Sequence, residues 1–313
     1  VTGATVSQRP SGDPAAASGK PAAAASDVAM IEVSRLTKSF GSKYALRGVD
    51  LRVMPGESLV IFGPNGAGKT TLIRILSSLS RPSTGAVRIG GLDLATHADG
   101  IRRYLGVVSH APLLYDSLTA EENLRFFAGL YGMADPEPRI TAMLAQVGLT
   151  ARRGDLVRTF SRGMVQRLAI ARALLHDPLL LLLDEPDTGL DPQAAEMLHD
   201  LLVAVSRGQG SGVRAQGSGD GESGNRGAEG ASQNGASPNA ATAVNSPPHR
   251  RTSAPPPYGR TIVTVTHSLE RGLALADRII ILSGGKLVFD GAAAGVTPTD
   301  FRPMYDKYVG GGR

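Results

Sequence analysis

Residues Gly63-Pro64-Asn65-Gly66-Ala67-Gly68-Lys69-Thr70 have the types and spacing of a phosphate cradle. Glycines at 63, 66 and 68 let the backbone turn its N–H groups inward around phosphate oxygens. A helix opening at Thr71 would add the positive end of its dipole. Lys69 is a point charge long enough to reach terminal phosphates, and the Thr70 hydroxyl is a hard oxygen suited to Mg²⁺. The pattern matches a P-loop in full, and it has the context a P-loop needs: an apolar strand before it, Leu59–Phe62, and helical spacing after it, Thr71–Leu79.

A second pair of candidates closes an apolar run. Leu179–Leu183 is followed by Asp184 and Glu185. Asp184 at the strand tip is placed to hold Mg²⁺ directly or through water, as in a Walker B element. Strand side chains alternate, so Glu185 is expected on the opposite side from Asp184, where it can polarise an attacking water.

These side chains need a scaffold, and the flanking sequence supplies one. Short strands are expected at Ile31–Val33, Leu51–Val53, Leu59–Phe62 and Val87–Ile89. Leu72, Ile73, Leu76 and Leu79 repeat at helical spacing. Thr119-Ala120-Glu121-Glu122 is a capping box opening a helix through Phe127, and residues 119–175 read as mostly helical. Leu179–Leu183 and Ile262–Val265 are continuous apolar strands, as in a sheet covered on both faces. Ile279–Leu282 and Lys286–Phe289 flank Gly284-Gly285, a hairpin signal.

Two stretches fit no packed element. Residues 1–28 are rich in Ala, Ser, Pro and Gly, and 207–259 contain no Leu, Ile, Phe or Met and end near Pro255-Pro256-Pro257. Such compositions bury too little apolar surface to offset ordering entropy, so a disordered tail and a disordered insertion are expected. The remainder, 29–206 with 260–313, reads as one domain with a helical part at about 110–176.

The chain has 313 residues, 42% hydrophobic and 19% charged, with net charge +5, pI about 9.6 and no cysteine. Thiol nucleophiles, disulfides and zinc–thiolate sites are excluded. No block of Lys and Arg stands out, which argues against a nucleic-acid partner. No apolar run approaches the roughly 18 residues that span a bilayer, and the start of the sequence lacks a signal-peptide pattern, so a membrane role is expected to come through a partner.

Further motifs carry a family resemblance. Phe160-Ser161-Arg162-Gly163-Met164, followed by Gln166-Arg167, resembles the signature of the ABC (ATP-binding cassette) ATPases, with Ser161 and Gly163 kept and Arg162 and Met164 departing. Gly189-Leu190-Asp191 resembles the D-loop, His267 the switch histidine, Phe40 the aromatic that stacks on adenine, and Asp277 the acidic residue after the switch. His110 falls where the family's Q-loop glutamine is expected. The resemblance covers roughly residues 30–206 and 260–300. It implies an α/β P-loop NTPase cassette: a mixed or parallel sheet core, an N-terminal antiparallel β subdomain and an α-helical subdomain. It implies ATP and Mg²⁺, with Lys69, Glu185 and His267 catalytic, Thr70 and Asp184 on the metal, and Phe40, Gly63–Thr71, His110, Ser161, Gly163 and Asp191 around the nucleotide. It also implies a second cassette and membrane permease subunits.

The His110 loop, the Leu118–Leu124 stretch and the Phe-Ser-Arg-Gly-Met signature together resemble the CcmA-type ATPases of haem export in cytochrome c maturation. That implies CcmB- and CcmC-like permeases, at the cytoplasmic face of the membrane. Exporter ATPases for drugs or polysaccharides share parts of the pattern and stand as the alternative. A non-transport ABC ATPase acting on nucleic acid or ribosomes fits less well, because the insertion lacks heptads and the chain has one P-loop.

Overall fold

The computed structural model describes residues 28–206 and 259–310. The expected tail and insertion lie outside the described residues, apart from Val28 and Gly259 at their ends.

The chain begins with strands β1 (Ile31–Phe40) and β2 (Lys43–Val53), continues into β3 (Ser58–Phe62), and turns through the P-loop into α1 (Lys69–Leu76). Strands β4 (Thr84–Ile89) and β5 (Leu92–Asp93) lead to α2 (Leu94–Arg102) and β6 (Leu105–Val108). A helical region follows: α3 (Ala120–Leu130), α4 (Glu137–Gln146), two short 3₁₀ turns and α5 (Arg162–Leu174). Then come β7 (Leu180–Asp184), α6 (Pro192–Ser206), β8 (Thr261–Val265), α7 (Leu269–Leu275), β9 (Arg278–Ser283), β10 (Lys286–Ala292) and α8 (Pro298–Gly310).

Two sheets form. One is four-stranded in the order β2-β1-β4-β5, with antiparallel neighbours; the other is six-stranded in the order β10-β9-β3-β8-β7-β6. Within the second, β9, β3, β8, β7 and β6 run parallel and β10 is antiparallel to β9. The parallel strands β3, β7 and β8 are buried along their whole length, which explains their unbroken apolar sequence. Alternate residues face opposite sides. Leu59 and Ile61 of β3 with Leu180 and Leu182 of β7 join a core shared with the first sheet and α1. Leu181 and Leu183 face α3–α5, and Val60 and Phe62 face α8. Phe62 and Phe301 pack with ring centroids 5.0 Å apart and planes tilted by 48°.

The expected capping box is present. Glu122 N donates to Thr119 Oγ1 at 3.2 Å, and Thr119 N donates to Glu122 Oε2 at 2.8 Å. The β9–β10 hairpin turns at Gly284 and Gly285, whose φ angles of 54° and 81° suit a tight primed turn. Helix α1 departs from its expected range. It starts at Lys69, and it stops at Leu76 because Ser78 takes φ 59°, leaving Leu79 48% exposed.

A phosphate cradle with a polarised carboxylate

The P-loop joins the C-terminal end of β3 to α1. Two of its glycines are sterically required. A methyl group at Gly63 would come within 2.1 Å of the Leu282 carbonyl oxygen, and one at Gly68 within 2.3 Å of the Ala45 oxygen. The loop therefore sits tightly between β9 and β2, and Gly285 N donates to the Ala67 carbonyl at 3.1 Å. Asn65 and Gly66 form its exposed apex, while Ala67 is buried. Lys69, 6% exposed, donates from Nζ to the Gly63 carbonyl at 2.7 Å and the Pro64 carbonyl at 3.0 Å. Burial pushes its pKa down, and the nearby Glu185 and Asp184 carboxylates oppose that shift.

The metal candidates meet. Thr70 Oγ1 donates to Asp184 Oδ1 at 3.2 Å. Asp184 is 4% exposed, and burial raises its pKa despite the Thr70 bond. No cluster of three or more His, Cys, Asp or Glu capable of holding a metal occurs among the described residues. Two hard oxygens beside the P-loop, from Thr70 and Asp184, would suit a cation such as Mg²⁺.

Glu185 corrects one expectation. Strand β7 ends at Asp184, and Glu185 has already left extended geometry with φ 52°. Strand alternation therefore does not aim it; a left-handed backbone does, with Glu185 N donating to the Val265 carbonyl at 2.9 Å. Its Oε1 lies 2.6 Å from His267 Nε2, and Thr188 Oγ1 donates to its Oε2 at 3.3 Å. His267 stands two residues past the end of β8, which stops at Val265. A cleft of about 490 Å³ is lined by His110, Asp184, Glu185 and Thr188 with Arg162 and Gln166 of α5. His110 lies near enough for its charge to favour ionised Asp184.

The other candidates lie apart from this cluster. Phe40 is 60% exposed, with Lys38 Nζ 5.1 Å from its ring centroid. Thr71 continues α1 and is half-buried. Ser161 caps α5, accepting from Met164 N at 3.3 Å, and Gly163 packs toward Gly189. Asp191 Oδ1 accepts from Ala194 N at 2.9 Å and so caps α6. Asp277 Oδ2 accepts from Ser58 N at 2.8 Å, fastening β9 to β3 at the edge away from the P-loop.

Sequence reasoning missed several neighbours. Thr188 and Gln166 touch the Glu185 segment, and Arg302, Tyr305 and Asp306 of α8 line a cleft of about 150 Å³ with Gly63 and His267. Nothing in the sequence of α8 marks it as a neighbour of the P-loop; only the path of β9 and β10 brings it there.

A glycine loop on a helix start, a hydroxyl–carboxylate pair and a histidine-held glutamate together define a P-loop nucleotide-binding cassette. The family model described as ABC transporter matches residues 46–188. The chain is 31% identical to the daunorubicin resistance ATP-binding protein DrrA3 of Streptomyces coeruleorubidus, covering 84% of this chain and 68% of that one. It is 38% identical to the linearmycin resistance ATP-binding protein LnrL of Bacillus subtilis over 53% of this chain and 54% of that one. A cassette solved as a dimer in a post-hydrolysis state with ADP and Pi superposes with a TM-score of 0.65 at 25% identity, covering 85% of this chain and 100% of that one. The chain belongs to the ABC transporter ATP-binding proteins. It spans 59% and 54% of the length of the first curated relatives it matches. No helix among the described residues is long and apolar enough to cross a membrane.

Proposed function

We propose that this chain hydrolyses Mg-ATP as one of a pair of cassettes that drive an exporter of drug or antibiotic type through separate membrane permease subunits. The 2.6 Å contact between Glu185 and His267, beside the P-loop, carries the hydrolytic part of the reading. The drug-resistance names of relatives support the cargo class. The haem-export reading, with CcmB- and CcmC-like permeases, gains no such support and gives way to the drug-exporter alternative. The chain itself would sit at the cytoplasmic face of the membrane, held there by the permeases.

In this reading the amides from Gly63 to Thr71 and the start of α1 bind the phosphates, and Lys69 moves from its loop carbonyls to the terminal phosphates. Thr70 and Asp184 would hold Mg²⁺, which when bound would offset charge on the transferred phosphoryl group. Glu185 orients the attacking water and accepts its proton in the course of in-line attack, and His267 keeps the carboxylate in place and offers an N–H toward the reacting phosphate. Phe40, exposed and close to a lysine, stacks on adenine. Ser161 and Gly163 have no part in their own chain's P-loop; in a head-to-tail pair they close on the nucleotide held by the partner. His110 occupies the loop between this site and the helical region, taking the place of the Q-loop glutamine. Residues 29–206 and 260–313 form one cassette domain around the 207–259 insertion.

The test is ATP turnover by the purified chain. Lys69→Ala is expected to lose nucleotide binding, and Glu185→Gln to keep binding but accumulate as an ATP-bound dimer on size exclusion. Undiminished turnover in Glu185→Gln would overturn the assignment. Copurification of a permease from detergent extracts, with drug-stimulated turnover, tests the cargo class.

A further inference from the structure

The first turns of α5 grip the loop that follows Glu185 in the same chain. Gln166 Nε2 donates to the Pro186 carbonyl at 2.9 Å. Arg162 lies along Gly189 so closely that a methyl group there would come within 2.7 Å of Arg162 Nε. A methyl on Gly163 would stand 3.7 Å from both the Gly189 oxygen and a Leu190 methyl. The signature helix and the segment 186–190 are therefore packed as one unit.

That unit directly follows a residue in a costly backbone state. Glu185, with φ 52°, occupies left-handed space that a side-chain-bearing residue holds only when its surroundings over-determine it. On one side its own N–H is fixed by Val265. On the other, the next carbonyl along the chain is fixed by Gln166. The Glu185 carbonyl accepts from Thr188 N at 3.1 Å and the Pro186 carbonyl from Gln166, so two successive carbonyls fix the chain as it leaves Glu185, and the second of these bonds is what α5 contributes.

We propose that Gln166 is a positioning residue for Glu185, and that through it α5 links the two nucleotide sites of a cassette pair. The second half rests on the paired reading above. Ser161, at the start of α5, closes on the nucleotide held by the partner. Gln166, on the same rigid helix, sets the glutamate of the chain's own site. A small movement of α5 on closure is thus delivered to Glu185 without passing through the P-loop.

The experiment compares Gln166→Ala, Gln166→Glu and Gln166→Lys in the full chain. Glu matches glutamine in shape but its carboxylate cannot donate; Lys restores an N–H donor. The Ala and Glu variants are expected to lower kcat about ten- to a hundredfold while ATP KM stays within about twofold. Their Hill coefficient for ATP should fall toward one, and the Lys variant should regain part of kcat. Glu185→Gln combined with Gln166→Ala should still collect as an ATP-bound dimer, since the P-loop and Ser161 are untouched. Gln166→Glu turning over like wild type overturns the inference, as does a loss carried by KM or an equal loss in the Lys variant. A wild-type chain that neither hydrolyses ATP nor dimerises overturns the paired reading and this inference with it.

Discussion

His267 Nε2 lies 2.6 Å from Glu185 Oε1, a contact that bridges the ends of β8 and β7 across 82 residues of sequence. Each side chain holds the other where the phosphate loop opens. Replacing His267 with alanine is therefore expected to lower kcat by about 10²–10³ while ATP binding persists. The double variant with Glu185→Gln should be little worse than the more damaging single change, because residues acting as a unit are not additive. Single-turnover phosphate release measures both.

Asp184 predicts a conflict between folding and function. Burial raises its pKa even with Lys69 nearby, so the folded state disfavours the charged form. The sign follows: stability associated with this group is full at low pH and is lost as pH rises through its raised pKa. Asp184→Asn mimics the neutral form, and the amide can still accept from Thr70. It should raise the thermal midpoint of nucleotide-free protein at neutral pH by roughly 2–4 °C and abolish Mg²⁺-dependent turnover. Differential scanning calorimetry beside an ATPase assay checks the pair of outcomes.

In the helical region Glu121 accepts from both Arg153 and Arg125, and Glu137 accepts from Arg125. Hydrogen bonding from Arg153, then the other charges, draws the Glu121 pKa from its ordinary 4.5 to about 2. A depressed carboxylate stabilises the fold above its unfolded pKa, and that contribution is lost as pH falls from about 4.5 toward 2. Glu121→Gln should flatten the acid limb of the stability profile in that window and leave the neutral limb lower. Thermal midpoints recorded across the window decide it.

Gly189 has φ 83° with Arg162 lying against it. Gly189→Ala should cost about 1–3 kcal/mol from backbone strain and overlap together. Adding Arg162→Ala should recover the overlap part only, since the positive φ remains. Chemical denaturation of the two singles and the double separates the contributions.

The glycine-rich turn between a strand and a helix was legible because its pattern is local: the eight residues 63–70 and their flanking strand and helix are contiguous. The same holds for the Thr119–Glu122 capping box and the Gly284-Gly285 turn. Strand alternation did not foresee the left-handed turn at Glu185, since where a strand stops depends on the bonds its neighbours offer. Asp191 reads as a nucleotide contact from its motif, yet in one chain its carboxylate is occupied in capping α6. Gln166 was read only as part of the signature, and the α8 residues near His267 left no sequence signal; the contacts of both depend on how distant elements pack. The tail and insertion could be read only from composition and lie outside the described residues.

The left-handed backbone at Glu185 also limits redesign. Glycine would adopt that conformation with ease, so a search for the most stable sequence on this scaffold is drawn to a replacement that removes the proposed proton acceptor. Thermostabilised versions of this cassette will keep their activity only if that single position is held out of the optimisation.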